Sequence, residues 1–229
     1  MCTSMFILPY FLASAPQSVP LALPSLAVGV ASENTNDNSI TSGSFTPAVG
    51  DYHVIIVVSR DGSSTAHGTP TPSGFTYEAT PEQQITAEQP SGNHIRVTIW
   101  TARVATSAAG TVTATAAGAL FQQALIVLVI PGATAFDTYA SGIGAGTTLS
   151  ATWNATPNAA ALGIVAIGQD SATGTWTCST GVDLVASASG TVGSLRWEVR
   201  AKLLSLPSPV AFAGMANDFN KAAAGVSIV

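Results

Sequence analysis

The chain has 229 residues, 47% of them hydrophobic but only 8% charged, and a formal net charge of −5. An ordinary soluble domain carries about 25% charged residues, and a nucleic-acid partner needs clustered Lys and Arg, whereas the seven basic residues here are scattered. Two cysteines, Cys2 and Cys178, make no disulfide framework, and no run of about 18 strongly apolar residues is present to cross a membrane as a helix.

In chain order, residues 1–32 carry no charge and four prolines, Pro9, Pro16, Pro20 and Pro24. There is no basic stretch ahead of the first apolar run and Pro9 interrupts it, so the segment reads as an arm and not as a secretory leader. The proline spacing disfavours a helix and favours an extended path. An extended segment bearing Phe6, Ile7, Leu8, Tyr10, Phe11, Leu21, Leu23 and Leu26 is costly to leave in water, so it is expected to seat in a groove, on the same domain or on a neighbouring subunit, with Phe6, Leu8, Tyr10 and Phe11 as interface residues. Residues 33–43 are turn formers. The expected organisation is an arm and linker over 1–42 and a folded domain over 43–229.

Strands are expected over 52–59 and 73–78, with a Ser/Thr/Pro/Gly loop at 62–72 between them and, after them, a polar segment at 79–93 that reads as a loop or as a loop holding a short strand. Over 95–104, Ile95, Val97, Ile99 and Thr101 share one face while Arg96, Thr98, Trp100 and Ala102 share the other. A second strand covers 111–116, and 124–130 is apolar throughout. One hundred residues later the pattern returns: Ile95 falls on Leu195, Arg96 on Arg196, Ile99 on Val199, Val112 on Phe212 and Ala124 on Ala224. In the echo Leu195, Trp197, Val199, Ala201 and Leu203 are expected to point in, and Arg196, Glu198, Arg200 and Lys202 out. Residues 161–168 echo 54–59, and 131–157 reads as a Gly/Ala/Thr-rich connection with short strands near 133–139 and 147–153. The expected fold is all-β, an eight-stranded jelly-roll-like β-sandwich built from two Greek-key halves, about 43–132 and 158–229. Residues 54–58 and 125–130 are apolar on both faces. A two-sheet sandwich leaves its outer face wet, so the arm or a partner subunit is expected to cover them.

Chemistry-bearing patterns are sparse. His53, His67 and His94 lack metal-ligand spacing, and no metal or other cofactor is expected. No Gly-x-Ser-x-Gly elbow is present. The glycine run at 142–146 has neither a helix after it nor a nearby Lys to hold phosphate. Asp51, Asp61, Glu78, Glu82 and Glu88 lie in or beside loops and read as solvated carboxylates in place of a glycosidase pair. Asp170, Asp183 and Asp218 would bind calcium only if folding gathered them. Tryptophans are the better lead: Trp100 falls on the polar face of its strand, and Trp153 and Trp176 lie near strand ends, positions that suit an interface or a sugar-stacking platform.

Val49-Gly50-Asp51-Tyr52 leading into an apolar strand, Pro72-Ser73-Gly74-Phe75-Thr76, Thr101-Ala102-Arg103-Val104-Ala105 and Thr111-Val112-Thr113-Ala114-Thr115 follow one another in order. In this the chain resembles, over about 45–229, accessory virion proteins of tailed bacteriophages of the minor-tail or capsid-decoration type, with Phe75 where Trp is commoner, still an aromatic expected to anchor a core. The resemblance implies a jelly-roll sandwich with a non-enzymatic structural role in the virion, at tail, collar or capsid surface. Its implied partners are other virion proteins and copies of itself, with neither nucleic acid nor membrane. A carbohydrate-binding jelly roll that reads host-surface glycans through Trp100 and Trp153 is the alternative.

Overall fold

The structure, a computed structural model, describes residues 29–33, 37–61, 69–90, 93–158, 160–171, 177–179, 186–203, 210–213 and 220–229. Every described strand pairing is antiparallel, and no helix occurs among the described residues. The first unit contains β1 (Gly29–Glu33), β2 (Asp37–Thr41), β3 (Tyr52–Arg60), β4 (Thr71–Ser73), β5 (Glu82–Gln89), β6 (Ile95–Arg103), β7 (Thr113–Leu120) and β8 (Gln122–Ile130). They form a large sheet ordered β1-β8-β3-β6-β5 and a small one ordered β2-β7-β4. The second unit contains β9 (Phe136–Gly144), β10 (Leu149–Trp153), β11 (Leu162–Asp170), β12 (Thr177–Ser179), β13 (Ala186–Val192), β14 (Leu195–Leu203), β15 (Val210–Ala213) and β16 (Lys221–Ile228). Its order is β9-β16-β11-β14-β13 and β10-β15-β12, the first unit's order with each strand advanced by eight.

The chain is therefore all-β, as its alternation predicts, but the repeat is larger than expected. Each half is itself an eight-strand sandwich, in place of half of one. In each unit the first, last, third and sixth strands share one sheet, the second, seventh and fourth share the other, and the fifth bonds to the sixth at the edge of the large sheet. The extra strands are short or polar. β5, with the sequence EQQITAEQ, lies at a sheet edge where one side faces water, so it lacks the apolar alternation that marks a half-buried strand. β1 and β2 fall within 1–42, expected to be arm and linker, whereas β9 and β10 fall on the short strands expected near 133–139 and 147–153, β9 running on to Gly144. In the second unit β10 pairs with both β15 and β9, joining the small sheet to the large one.

The two large sheets pack face to face. Val54, Ile56 and Val58 of β3, with Ile95, Val97 and Ile99 of β6, share a core with Ile164 and Ala166 of β11, Val199 of β14 and Val226 of β16. The opposite face of β3 presents Ile55 and Val57, which pack with Leu125, Val127, Ile40, Val112 and Ala114 beneath the small sheet. β3 is accordingly buried at every position. This overturns the expectation that the arm or a partner subunit covers residues 54–58 and 125–130: the second unit covers one face and the first unit's own small sheet the other. Burying a Val, Leu or Ile side chain contributes about 1.5–3 kcal/mol, so the shared core is a major source of stability for both units. The polar face assigned to β14 is likewise covered. Glu198 and Arg200 are buried and form an ion pair with one another.

Strand registers relate the units residue by residue. β3 and β11 correspond with Tyr52 on Leu162 and Arg60 on Asp170; β6 and β14 with Ile95 on Leu195. β8 and β16 correspond with Gln123 on Lys221, so Ala124 matches Ala222, two positions short of the constant hundred-residue offset. Where equivalent positions meet across the central core they hold complementary residues. Arg60 Nε donates to Asp170 Oδ1 at 2.5 Å. Val58 Cγ1 lies so close over Gly168 that a Cβ there would stand 2.5 Å from it. The hairpins are capped reciprocally: Gln122 Oε1 accepts from the backbone N–H of Leu195 at 3.0 Å, and its counterpart Asn220 donates Nδ2 to the Asn93 carbonyl at 3.0 Å.

Candidate functional site

The motif residues, scattered over some sixty positions, converge at one end of the first unit. The turn before β3 closes with Asp51 N–H on the Ala48 carbonyl, and Asp51 Oδ2 accepts the Ala48 N–H at 2.7 Å. Gly50 N–H donates to the Val104 carbonyl, and Val104 N–H to the Asp51 carbonyl. Arg103 Nε donates to the Gly50 carbonyl at 3.2 Å, and its Nη1 pairs with Glu78 at 3.4 Å. Tyr77 bridges to Val104. Gly74 has a φ of +127°, and a Cβ there would lie 2.0 Å from the Thr111 carbonyl oxygen, so the motif requires glycine. Phe75, expected to act as an aromatic core anchor, does so. Its ring stacks at a tilt on Phe45, with centroids 4.9 Å apart, and edge-on to His53 at 5.3 Å.

His53 opens β3 but is fully buried among these rings, not at the surface. Its Nδ1 lies 3.2 Å from the Tyr77 hydroxyl, while Nε2 is buried without a hydrogen-bond partner. Burial pushes the imidazole down to about 4 against the opposing pull of Asp51, so it is neutral at physiological pH. Burial likewise raises the Tyr77 phenol above its ordinary range. A neutral histidine hydrogen-bonded to a neutral phenol in an aromatic cluster is packing chemistry.

Beside the cluster, the chain from Pro72 to Pro81 shapes an open groove of about 550 Å³. Its lining includes half-buried Phe75 and Tyr77, both prolines, and Glu78, whose carboxylate already meets Arg103. Concavity has no sequence signature, and Tyr77 and Glu78 were not singled out as a pair. The Phe-Thr-Tyr alternation, placing two aromatic residues on one side of an extended segment, was the available signal.

Trp100 lies on β6 half-buried against the Ile55–Val57 face, with Nε1 buried and unpartnered, and Trp153 ends β10 half-buried against Ala140, Leu149 and Ala151. Both are packing residues first, which weakens their assignment as open platforms. Phe6, Leu8, Tyr10 and Phe11 lie outside the described residues, as do His67, Trp176, Asp183 and Asp218.

A second cluster of ionisable groups lies on β5 and β6. Glu88 lies 2.9 Å from His94 Nδ1 and 3.1 Å from Arg96. Burial works to raise the Glu88 carboxyl, but the His94 hydrogen bond and the Arg96 guanidinium outweigh it and hold the group below the ordinary carboxylate range. Among the described residues no three His, Cys, Asp or Glu side chains come together as a metal cage. No protein-family model, curated protein or solved structure matches the chain.

Proposed function

We propose that the chain is a non-enzymatic structural component of a phage virion, docking on other virion subunits and on copies of itself. The observation that supports this most is where the virion-like motifs act. Gly50, Asp51, Gly74, Phe75, Arg103 and Val104 all serve one end of the first unit. There they set turns, cap carbonyls and fill a core. Such residues hold a scaffold in shape, and their neighbours include no gathered nucleophile, base and orienting group of the kind catalysis needs. The low charge fits a surface that neighbours cover more than one that water alone must keep dispersed. The test is mass spectrometry of gradient-purified particles from infected cells. The chain is expected in the particle band at a fixed ratio to the major capsid or tail protein. Recovery only in the soluble lysate would remove this reading.

A further inference from the structure

The groove between Pro72 and Pro81 has an occupant of fitting chemistry in the same chain. We propose that it seats the proline-rich arm, with the segment around residues 19–24 lying across Phe75 and Tyr77. The inference concerns an internal docking surface and goes beyond the virion reading, on which it does not depend.

Three observations carry it. The first is where the described chain begins. Gly29 pairs with Val127 and Glu33 with Gln123, so the chain preceding β1 heads toward the Ile130 end of β8. Ile130 pairs with Tyr52 and Tyr52 with Arg103, which places that exit at the same end of the large sheet as the groove. The second is the route. From β1 the sheet order runs through β8 and β3 to β6, three spacings of about 4.8 Å, or roughly 15 Å. About three residues carry the chain to the end of β8, and about five more cross the sheet at ~3.3 Å each. The residues arriving at the groove are then those near Leu21 to Pro24. On the way lies Val49, the most exposed of the large hydrophobic side chains described, at 64%. It sits beside Gly50, whose backbone meets Arg103 and Val104, the partners of the groove residues Glu78 and Tyr77. An arm on this path covers it.

The third is chemistry. Residues 1–32 contain no charge. The groove's own carboxylate is already matched by Arg103, so an uncharged apolar segment enters without stranding an ion. Aromatic- and proline-lined grooves take proline-rich extended segments because their backbone is already stiff and loses little entropy on docking. In an extended chain Val19, Leu21 and Leu23 fall on one side and Pro20 and Pro24 on the other. The segment thus presents a continuous apolar edge to the rings. A glycan fits this groove less well, since its one carboxylate is engaged and it offers no tryptophan.

The experiment is a disulfide trap in the full-length chain carrying Cys2→Ser and Cys178→Ser. Leu23→Cys is combined either with Thr80→Cys in the groove or with Ser150→Cys on the second unit as control. Mild oxidation is expected to cross-link the Thr80→Cys pair within one chain, at least tenfold faster than the control pair. A cross-link joining two chains would overturn the proposal and assign the groove to a neighbour's arm. Equal rates for the two pairs would overturn it and leave the groove to an external ligand such as a glycan. Because the double substitutions burden folding, hydrogen exchange on the unsubstituted chain and on one lacking residues 1–24 provides a second reading. Amide protection over 76–80 and at Val49 is expected to fall several-fold when the arm is removed. Unchanged protection would overturn the seating.

Discussion

The two units share a strand plan and differ in what fills their outer layers. Between its large and small sheets the first unit holds Phe45, His53, Phe75, Tyr77 and Trp100. At the matching registers the second has Gly163 for His53 and Arg200 for Trp100. Its corresponding core consists of Ala140, Leu149, Ala151, Val165, Ile167 and Ala223, with Trp153 at the margin. The central core between the units is aliphatic on both sides apart from Tyr52 and Trp197. Each outer layer packs only against its own unit and is free to change. The central faces must fit one another, so a change on one side constrains the other. The groove belongs to the unit whose outer layer became aromatic.

The largest test of this difference in constraint is the central ion pair. Asp170→Ala removes the partner of both Arg60 and the Asn93 amide, the latter donating at 2.8 Å. Breaking a buried pair from one side costs about 3–5 kcal/mol, and equilibrium denaturation is expected to show a loss of that order. Exchanging the charges, Arg60→Asp with Asp170→Arg, is expected to recover part of it. If the exchange is no better than the single change, the equivalence of the two positions is not energetic.

Next comes the steric pair. Gly168→Val drives a branched side chain into Val58 and Ile95, an overpacking that costs about 1–3 kcal/mol. Combining it with Val58→Gly moves the bulk to the other side of the same contact. The double variant is expected to lose less than the sum of its two single changes, measured as a coupling in denaturant midpoints.

Smaller and confined to the first unit is the pH response of His53. Its folded value of about 4 lies below the ordinary 6.5. The unfolded chain therefore takes up the proton first, and stability is lost as pH falls from about 6.5 toward 4. At pH 5 the loss is about 2 kcal/mol. His53→Phe is expected to flatten this part of the pH–stability curve, and an unchanged slope would assign the acid sensitivity elsewhere. Glu88 adds a further loss at lower pH. Its carboxyl is held below its ordinary value, so the stability it contributes disappears as it protonates.

Much of the fold was legible because alternation and doubly apolar runs are direct prints of burial. β6 and β14 showed their inward faces, and β3 and β8 showed that both of theirs are covered. What covers them was not legible, since a hydrophobic face carries no label for its partner. A second unit, an arm and a neighbouring subunit leave the same pattern. β5 was obscured by its position at a sheet edge, where half the side chains face water, whereas β10 was legible as a short strand over 147–153 and only its pairing with both sheets was not. At the site, Phe75 was legible as an anchor because a large aromatic residue after a turn glycine has few other uses. His53 was not, because its burial comes from Phe45 and Tyr77, separated from it in sequence and brought to it only by the fold.

The pairing of first with last strand in each unit sets the order of events during synthesis. Among the described strands β1 pairs only with β8, and β9, which meets β10 over two residue pairs, finds its long partner only in β16. When β8 is complete at Ile130 the first unit can close, yet its inner face of Val54, Ile56 and Ile99 has nothing to meet. Synthesis at ~5–20 residues per second leaves that face bare for roughly 5–20 s, until β16 is made. The nascent first unit is a sticky half-molecule during that interval, and crowding of several ribosomes on one message would let inner faces of different chains find each other. The Arg60 side chain at the margin of that face lacks Asp170 during the interval, so like charges meet when two first units approach in the same geometry. The pair that locks the finished chain thus also discourages mispairing of unfinished ones.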